Sequence, residues 1–229
     1  MVAPVAWRPA YRIIDSRYPF AGIYDKVADA ALLEDVIAIE AVTNERILDE
    51  AGTLALVRSE DRISGPGTTP IMAAFTHTRP SRFSDGTFGV FYAAKHRNTA
   101  IAEVRYHKTL FLRETSQASI DLDMRLYAAD VKGHFDDLRG RKRDDPLYDA
   151  TSYTASQKYA SERYAGNDCD GVVYRSVRDT TAGAECVAAF RPRIISNCMT
   201  AGYLSFRWDG SAIVEVHVKA EIVRFDDGS

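Results

Sequence analysis

Cysteine is scarce in this chain. Cys169, Cys186 and Cys198 are three in 229 residues, an odd number at wide spacing. That excludes a disulfide framework and a CxxC metal clamp, and leaves reduced, partly buried thiols. No apolar run of about 18 residues occurs, so no membrane span is expected. The start, MVAPVAWRPAYRII, lacks a basic segment followed by a long apolar one, so no secretory signal is expected and a cytoplasmic location is. An excess of basic charge is also missing. The formal net charge is -3, which argues against a broad nucleic-acid-binding surface. There is no GxxxxGK[ST] loop, GxGxxG turn, HExxH pair or GxSxG elbow. The common nucleotide-binding and hydrolase motifs are thereby removed, though catalysis is not.

What is present suits a globular protein, with 46% hydrophobic and 27% charged residues. Residues 1–27 read as extended, since Pro4, Pro9 and Pro19 oppose a helix, with a short strand at Tyr11–Ile14. Residues 29–50 read as a helix with Leu32, Leu33, Val36, Ile37 and Ile39 on its apolar face, stopped by Gly52. Residues 54–58 suit a strand, and SGPGTTP at 64–70 a loop. The aromatic run TFGVFYAA at 87–94 predicts a buried strand, and the next segment a helix capped by Asn98 or Thr99. One or two strands are expected at 119–130, a solvated charged loop at 136–149 and a helix at 152–164. Further strands are expected at 171–174 and 185–191. The final one is half-buried: Val214, Val216, Val218 and Ala220 alternate with Glu215, His217, Lys219 and Glu221. No repeat or linker divides the chain, so the expectation is one α+β domain.

Two polar clusters could carry chemistry. In FTHTRPSRFSDGTFGVFYAA, His77, Arg79 and Arg82 precede a loop, and Tyr92 comes late on a strand. In TAIAEVRYH, Glu103 stands among Ala100, Ile101, Ala102 and Val104, where a partly buried carboxylate would need a partner. That partner is either an arginine in an ordinary ion pair or a ligand. In CDGVVYRSVRD, Ser176 follows a strand, flanked by Arg175 and Arg178. It is either a turn or cap residue or a ligand contact.

The order of these residues resembles the RES-domain family, named for an Arg, a Glu and a Ser. The matching residues are Arg82 in SRFSDGTFGVFYAA, Glu103 in TAIAEVRYH and Ser176 in DGVVYRSVR. Tyr92 matches the family's strand tyrosine, and Arg12 in YRII resembles an N-terminal arginine of some members. Ser156, in YTASQKYA, is a second candidate for the serine. The 70 residues between Arg12 and Arg82 imply the longer form of the domain, with an N-terminal helical insertion at about 28–52.

The resemblance implies a mixed, twisted sheet with flanking helices, similar to ADP-ribosyltransferase toxins, around a cleft for NAD+. It implies a toxin of a toxin–antitoxin pair, blocked by an Xre-like antitoxin at the active site. Such proteins cleave NAD+ at the nicotinamide–ribose bond and pass ADP-ribose to water, to phosphate or to a protein, in some cases a nucleotide-biosynthesis enzyme. The residue types suit that chemistry. Cleavage builds positive charge on the ribose carbon, which the Glu103 carboxylate would stabilise. Arg82 first, and Arg12 second, would hold the pyrophosphate through forked donors. Tyr92 would offer the nicotinamide an aromatic face, and Ser176 a hydrogen bond to the carboxamide or a phosphate. No metal is required. The competing reading is a non-catalytic nucleotide-binding or protein-interaction module on the same fold.

Overall fold

The computed structural model describes residues 1–18 and 22–219; the expectations for Pro19, Ala220 and Glu221 lie outside them. Strand β1 (Val2–Asp15) leads into a helical block of α1 (Ile23–Lys26), α2 (Leu33–Thr43), α3 (Arg46–Ala51) and α4 (Thr69–Thr76). Then come β2 (Phe91–Ala94), α5 (Arg97–Arg113), β3 (Ile120–Asp137), α6 (Thr154–Gly166), β4 (Gly171–Arg175), β5 (Glu185–Ala189), β6 (Ile195–Trp208) and β7 (Ile213–Lys219). The fold is α+β, with a seven-stranded mixed sheet in the order β1-β2-β5-β4-β3-β6-β7.

β3 organises this sheet because it is long enough to take three partners. It pairs antiparallel with β1 and β6, and its last residues pair parallel with β4. Since β1 also touches β2, the pairings β1–β2–β5–β4–β3–β1 run in a ring. That ring is nearly open at one point. β1 and β2 share a single register pair, Tyr11 opposite Ala94. Beyond it they diverge, and the backbone of Phe91 and Tyr92 faces β1 without a ladder.

One core cluster, with Phe75, Phe91, Tyr127, Phe135 and Val187, lies under α1–α4. The other, with Phe83, Phe88, Phe190, Phe206 and Trp208, lies on the side of α5 and α6. Gly89 sets the position of α4. A Cβ there would run into Phe75 Cα and come within 2.7 Å of the Ala74 carbonyl, so only glycine lets the chain pass so near the helix. Among the described residues, no helix is long and apolar enough to cross a membrane.

Several expectations need correction. The strand at Tyr11–Ile14 is one end of a 14-residue strand. Pro4 pairs opposite His134, and Pro9 falls in the register shift between Trp7 and Ala10, where no ladder donor is needed. The helix expected at 29–50 breaks at Asn44, whose extended backbone ends α2 and whose side chain accepts from Arg46 N. Leu33 and Ile37 are buried, but Leu32 and Ile39 face solvent. Residues 54–56 form a 3-10 turn instead of a strand.

Neither Asn98 nor Thr99 caps α5. His96 holds that position, and Thr99 donates to Asp179 Oδ2 at 2.7 Å. The charged segment 136–149 is not simply a solvated loop: Asp136, Leu138, Leu147 and Tyr148 are buried. β7 buries Ile213 and packs Val216 against the second core cluster, but Val214 and Val218 are 53% and 58% exposed, so its valine face is covered only at its middle.

Candidate active site

The divergence of β1 from β2 opens a cavity of about 460 Å³. Its walls come from β1 (Arg12, Ile14), Tyr18, α3 (Asp49, Glu50), α4 (Thr69, Pro70, Ala73, Ala74), the turn His77–Ser81, and Tyr92. Arg12 spans the gap. Its guanidinium donates to the Tyr92 carbonyl at 3.1 Å and lies 4.7 Å from the Phe91 ring centre. Its buried Nε has no hydrogen-bond partner, and no carboxylate among the described residues pairs with it. Burial pushes its pKa down, with Cys198, Tyr92 and Tyr127 opposing. A guanidinium withdrawn from water and left without a counter-ion has a standing preference for an anion. Arg79, exposed at the rim, has no partner among the described residues either. His77 lines the same cavity, with Nε2 2.8 Å from the Asp49 carbonyl oxygen.

Tyr92 connects this cavity with a second group of polar side chains. Its hydroxyl is 2.9 Å from Ser81 Oγ and accepts from Phe83 N at 2.9 Å. Burial raises its pKa to about 12, so it stays a neutral phenol. Arg82 follows Ser81 and is 8% exposed. It donates to the carbonyls of Leu147 (3.3 Å) and Asp149 (2.8 Å) and stacks 4.6 Å from the Tyr153 ring centre. In this arrangement it fastens the 147–153 segment to the turn before β2.

Glu103 and Ser176 meet across 73 residues of sequence. Ser176, fully buried just past β4, donates from Oγ to Glu103 Oε1 at 2.6 Å. The same oxygen accepts from the backbone of Arg178 (3.1 Å) and Asp179 (2.8 Å). Three hydrogen bonds therefore fix one hydroxyl, and it in turn fixes the carboxylate. Glu103 is half-buried on α5, one helical turn from His107. His107 reaches solvent, and partial loss of hydration around its ring pushes its pKa below the ordinary value; Glu103 opposes, while Arg178 and Arg82 add to the effect. Arg178 lies 3.4 Å over the Tyr106 ring. Ser156 is also buried, but it donates to the Tyr153 carbonyl within its own helix and does not reach Glu103.

The named residues thus fall into two adjoining groups. Arg12 and Tyr92 line the cavity. Glu103 and Ser176 form a hydrogen-bonded pair, with Arg82 near enough to affect the same neighbours, Tyr174 and Cys186. Sequence reasoning overlooked Glu50 and Thr69. Thr69 stood in a segment read only as a loop, although Pro70 before an apolar run is a helix-start signal. All three cysteines are buried and free, with their thiol pKa values raised by burial.

A family model described as "RES domain" matches residues 59–209, well over half of the chain. Arg82, Tyr92, Glu103 and Ser176 lie inside the matched segment, whereas Arg12 and α1–α3 precede it. The chain is also similar to "Uncharacterized protein y4oC" of Sinorhizobium fredii (strain NBRC 101917 / NGR234). It is 27% identical to that protein over 205 residues, which cover 89% of this chain and 84% of the relative.

Proposed function

The chain belongs to the RES-domain family, and from that premise we propose that it cleaves NAD+ at the nicotinamide–ribose bond. RES domains are generally associated with toxin–antitoxin pairs. This chain is accordingly read as the toxin, held inactive by an Xre-like antitoxin that blocks the site. The observation that carries the reading is the Ser176–Glu103 hydrogen bond. Tyr92, which lines the cavity that also holds Arg12, packs against the same core cluster as Tyr174 and the helix that bears Glu103.

The proposed chemistry follows from those groups. As the C–N bond breaks, its electron pair goes to the nicotinamide nitrogen and positive charge develops on the ribose carbon. A carboxylate already oriented by Ser176 stabilises that charge without reorganising at the moment of reaction. Glu103 carries that role in this account, and Ser176 positions it.

Arg12 suits the pyrophosphate best, since it lines the cavity and makes one hydrogen bond there, while Arg82 is engaged by two carbonyls. Arg79 at the rim adds a second cation. Tyr92, neutral and fixed at its hydroxyl, offers a ring edge to the nicotinamide. The acceptor of the ADP-ribose is water, phosphate or a protein. Labelled NAD+ in a cell lysate separates these: a labelled protein band marks transfer, and free ADP-ribose or its phosphate ester marks degradation. Loss of NAD+ on incubation with the purified protein, followed by chromatography, tests the proposal itself.

A further inference from the structure

Helix α2 is apolar all round, yet only one of its sides is covered. Leu33 and Ile37 are buried in the first core cluster, and Val36 packs against it. On the opposite side, Leu32 at the start of the helix is 51% exposed, Ile39 69% and Val42 84%. Their spacing of seven and then three residues puts them on one face, two turns and about one turn apart. A surface helix normally turns polar residues to the water, and a helix that is hydrophobic on every side is normally buried. A row of large aliphatic side chains left in water therefore marks a contact surface.

The charge around this face selects what can cover it. Residues 29–50 carry seven acidic side chains and one basic one, Arg46. Helical spacing places Asp35 within the aliphatic row and Glu34 and Glu40 to either side of it. Glu34 pairs with Arg62 at 2.8 Å, whereas Asp35, Glu40 and Glu45 have no ion-pair partner among the described residues. A second copy of the chain would bring the same acidic residues against these, and a membrane of anionic lipid would be repelled as well. What fits is a segment apolar along one side and basic along its flanks.

We propose that the outer face of α2 docks a basic amphipathic helix of a partner protein. Side chains spaced by helical turns form ridges that a second helix fills. Leu32, Ile39 and Val42 receive apolar side chains that repeat every three or four residues on the partner, and Lys or Arg residues at its edges meet Glu34, Asp35 and Glu40. None of the three aliphatic residues lines the cavity, and α2 precedes the segment matched by the RES-domain model. The surface is thus separate from the proposed nucleotide site, and docking there does not depend on NAD+ cleavage.

The test titrates the whole chain, by calorimetry, with a synthetic helical peptide of about five turns, leucines along one side and lysine and arginine on the flanks. Two control peptides carry glutamate in place of the basic residues, or the same composition with the leucines scattered round the helix. Both should bind at least about tenfold more weakly than the basic amphipathic peptide. Ile39→Ser with Val42→Ser should weaken that peptide at least about tenfold and leave the melting temperature unchanged, since both side chains face water. Asp35→Asn with Glu40→Gln should weaken it severalfold. Phe111→Ser with Val218→Ser removes exposed apolar groups elsewhere and should leave the affinity within about twofold.

Absence of binding, equal binding of either control peptide, or an unchanged affinity in either folded α2 variant overturns the proposal. An equal loss in the Phe111 and Val218 variant also overturns it, by assigning the binding to exposed apolar surface in general. A native dimer in sedimentation that Ile39→Ser with Val42→Ser dissolves assigns the face to a second copy. Retention on phosphatidylglycerol vesicles, lost in the same variant, assigns it to a membrane. Either result overturns docking of a basic helix. None of these readouts uses NAD+, so failure of the docking and failure of the cleavage reading are told apart.

Discussion

Ser176 Oγ donates a 2.6 Å hydrogen bond to Glu103 Oε1 while accepting from two backbone amides of the turn that follows it. The turn, the serine and the carboxylate therefore form one rigid unit, anchored on β4 at one side and α5 at the other.

Ser176→Ala breaks that unit at its centre. It leaves the amides of Arg178 and Asp179 without their acceptor and frees Glu103 to rotate. Chemical denaturation should show a loss of about 1–3 kcal/mol, the range for buried groups left unsatisfied. If Ser176 positions Glu103, kcat for NAD+ falls about tenfold or more and KM changes little. A rise in KM alone, with kcat preserved, would assign the serine to substrate binding instead.

Arg12 and Arg82 should respond differently to the same change. Arg12 lines the cavity and makes one hydrogen bond, to the Tyr92 carbonyl, whereas Arg82 is held by the carbonyls of Leu147 and Asp149. Arg12→Lys is expected to raise the Kd for NAD+ about tenfold, since a lysine cannot offer a fork to the pyrophosphate, with a smaller loss of melting temperature than Arg82→Lys. Arg82→Lys is expected to lower the melting temperature first, by loosening the 147–153 segment. Calorimetric binding and thermal unfolding of the two variants, measured together, check the contrast. Equal binding losses with unchanged stability would contradict it.

His107 gives folding stability a pH dependence of defined sign, kept small because its side chain still reaches solvent. Its folded pKa lies below the ordinary imidazole value of 6.5, through loss of hydration and the nearby cations. As the pH falls through 6.5, the unfolded chain takes up a proton before the folded one does, so folding stability held above that pH is lost below it. Urea midpoints measured from pH 7.5 to 5.5 should fall less in His107→Gln than in the native chain. Parallel curves would show that His107 does not carry the effect.

Much of the framework could be read from local pattern. β2, α5, α6, β4 and β5 each follow from one apolar run, a helical period or a bounding turn; α6, β4 and β5 lie close to the expected limits, whereas β2 is only the second half of the expected run and α5 continues to Arg113. β6 was not legible. It runs opposite β3 through two register shifts, at Leu126/Tyr127 and Ala128/Asp130, and these destroy the two-residue period that marks a strand. The RES residues were legible as an ordered set, but their grouping was not. The contact between Ser176 and Glu103 depends on β4 and α5 meeting in space, and the cavity depends on a gap in strand pairing that no local pattern encodes. The same limit hid Glu50 and Thr69, which line that cavity from different helices.

In the proposed cleavage of NAD+, Glu103 is the carboxylate that stabilises the developing charge. The most direct test of that role follows NAD+ and nicotinamide by chromatography with the purified protein and with Glu103→Gln, a change that keeps the side chain's shape and its acceptor for Ser176 Oγ. The native protein is expected to release nicotinamide in step with the loss of NAD+. The folded variant is expected to turn over at least about 100-fold more slowly, the scale set by removing a preorganised electrostatic group. An unchanged NAD+ pool with the native protein, even after lysate is added, would contradict the account, as would a Glu103→Gln protein that turns NAD+ over at the native rate.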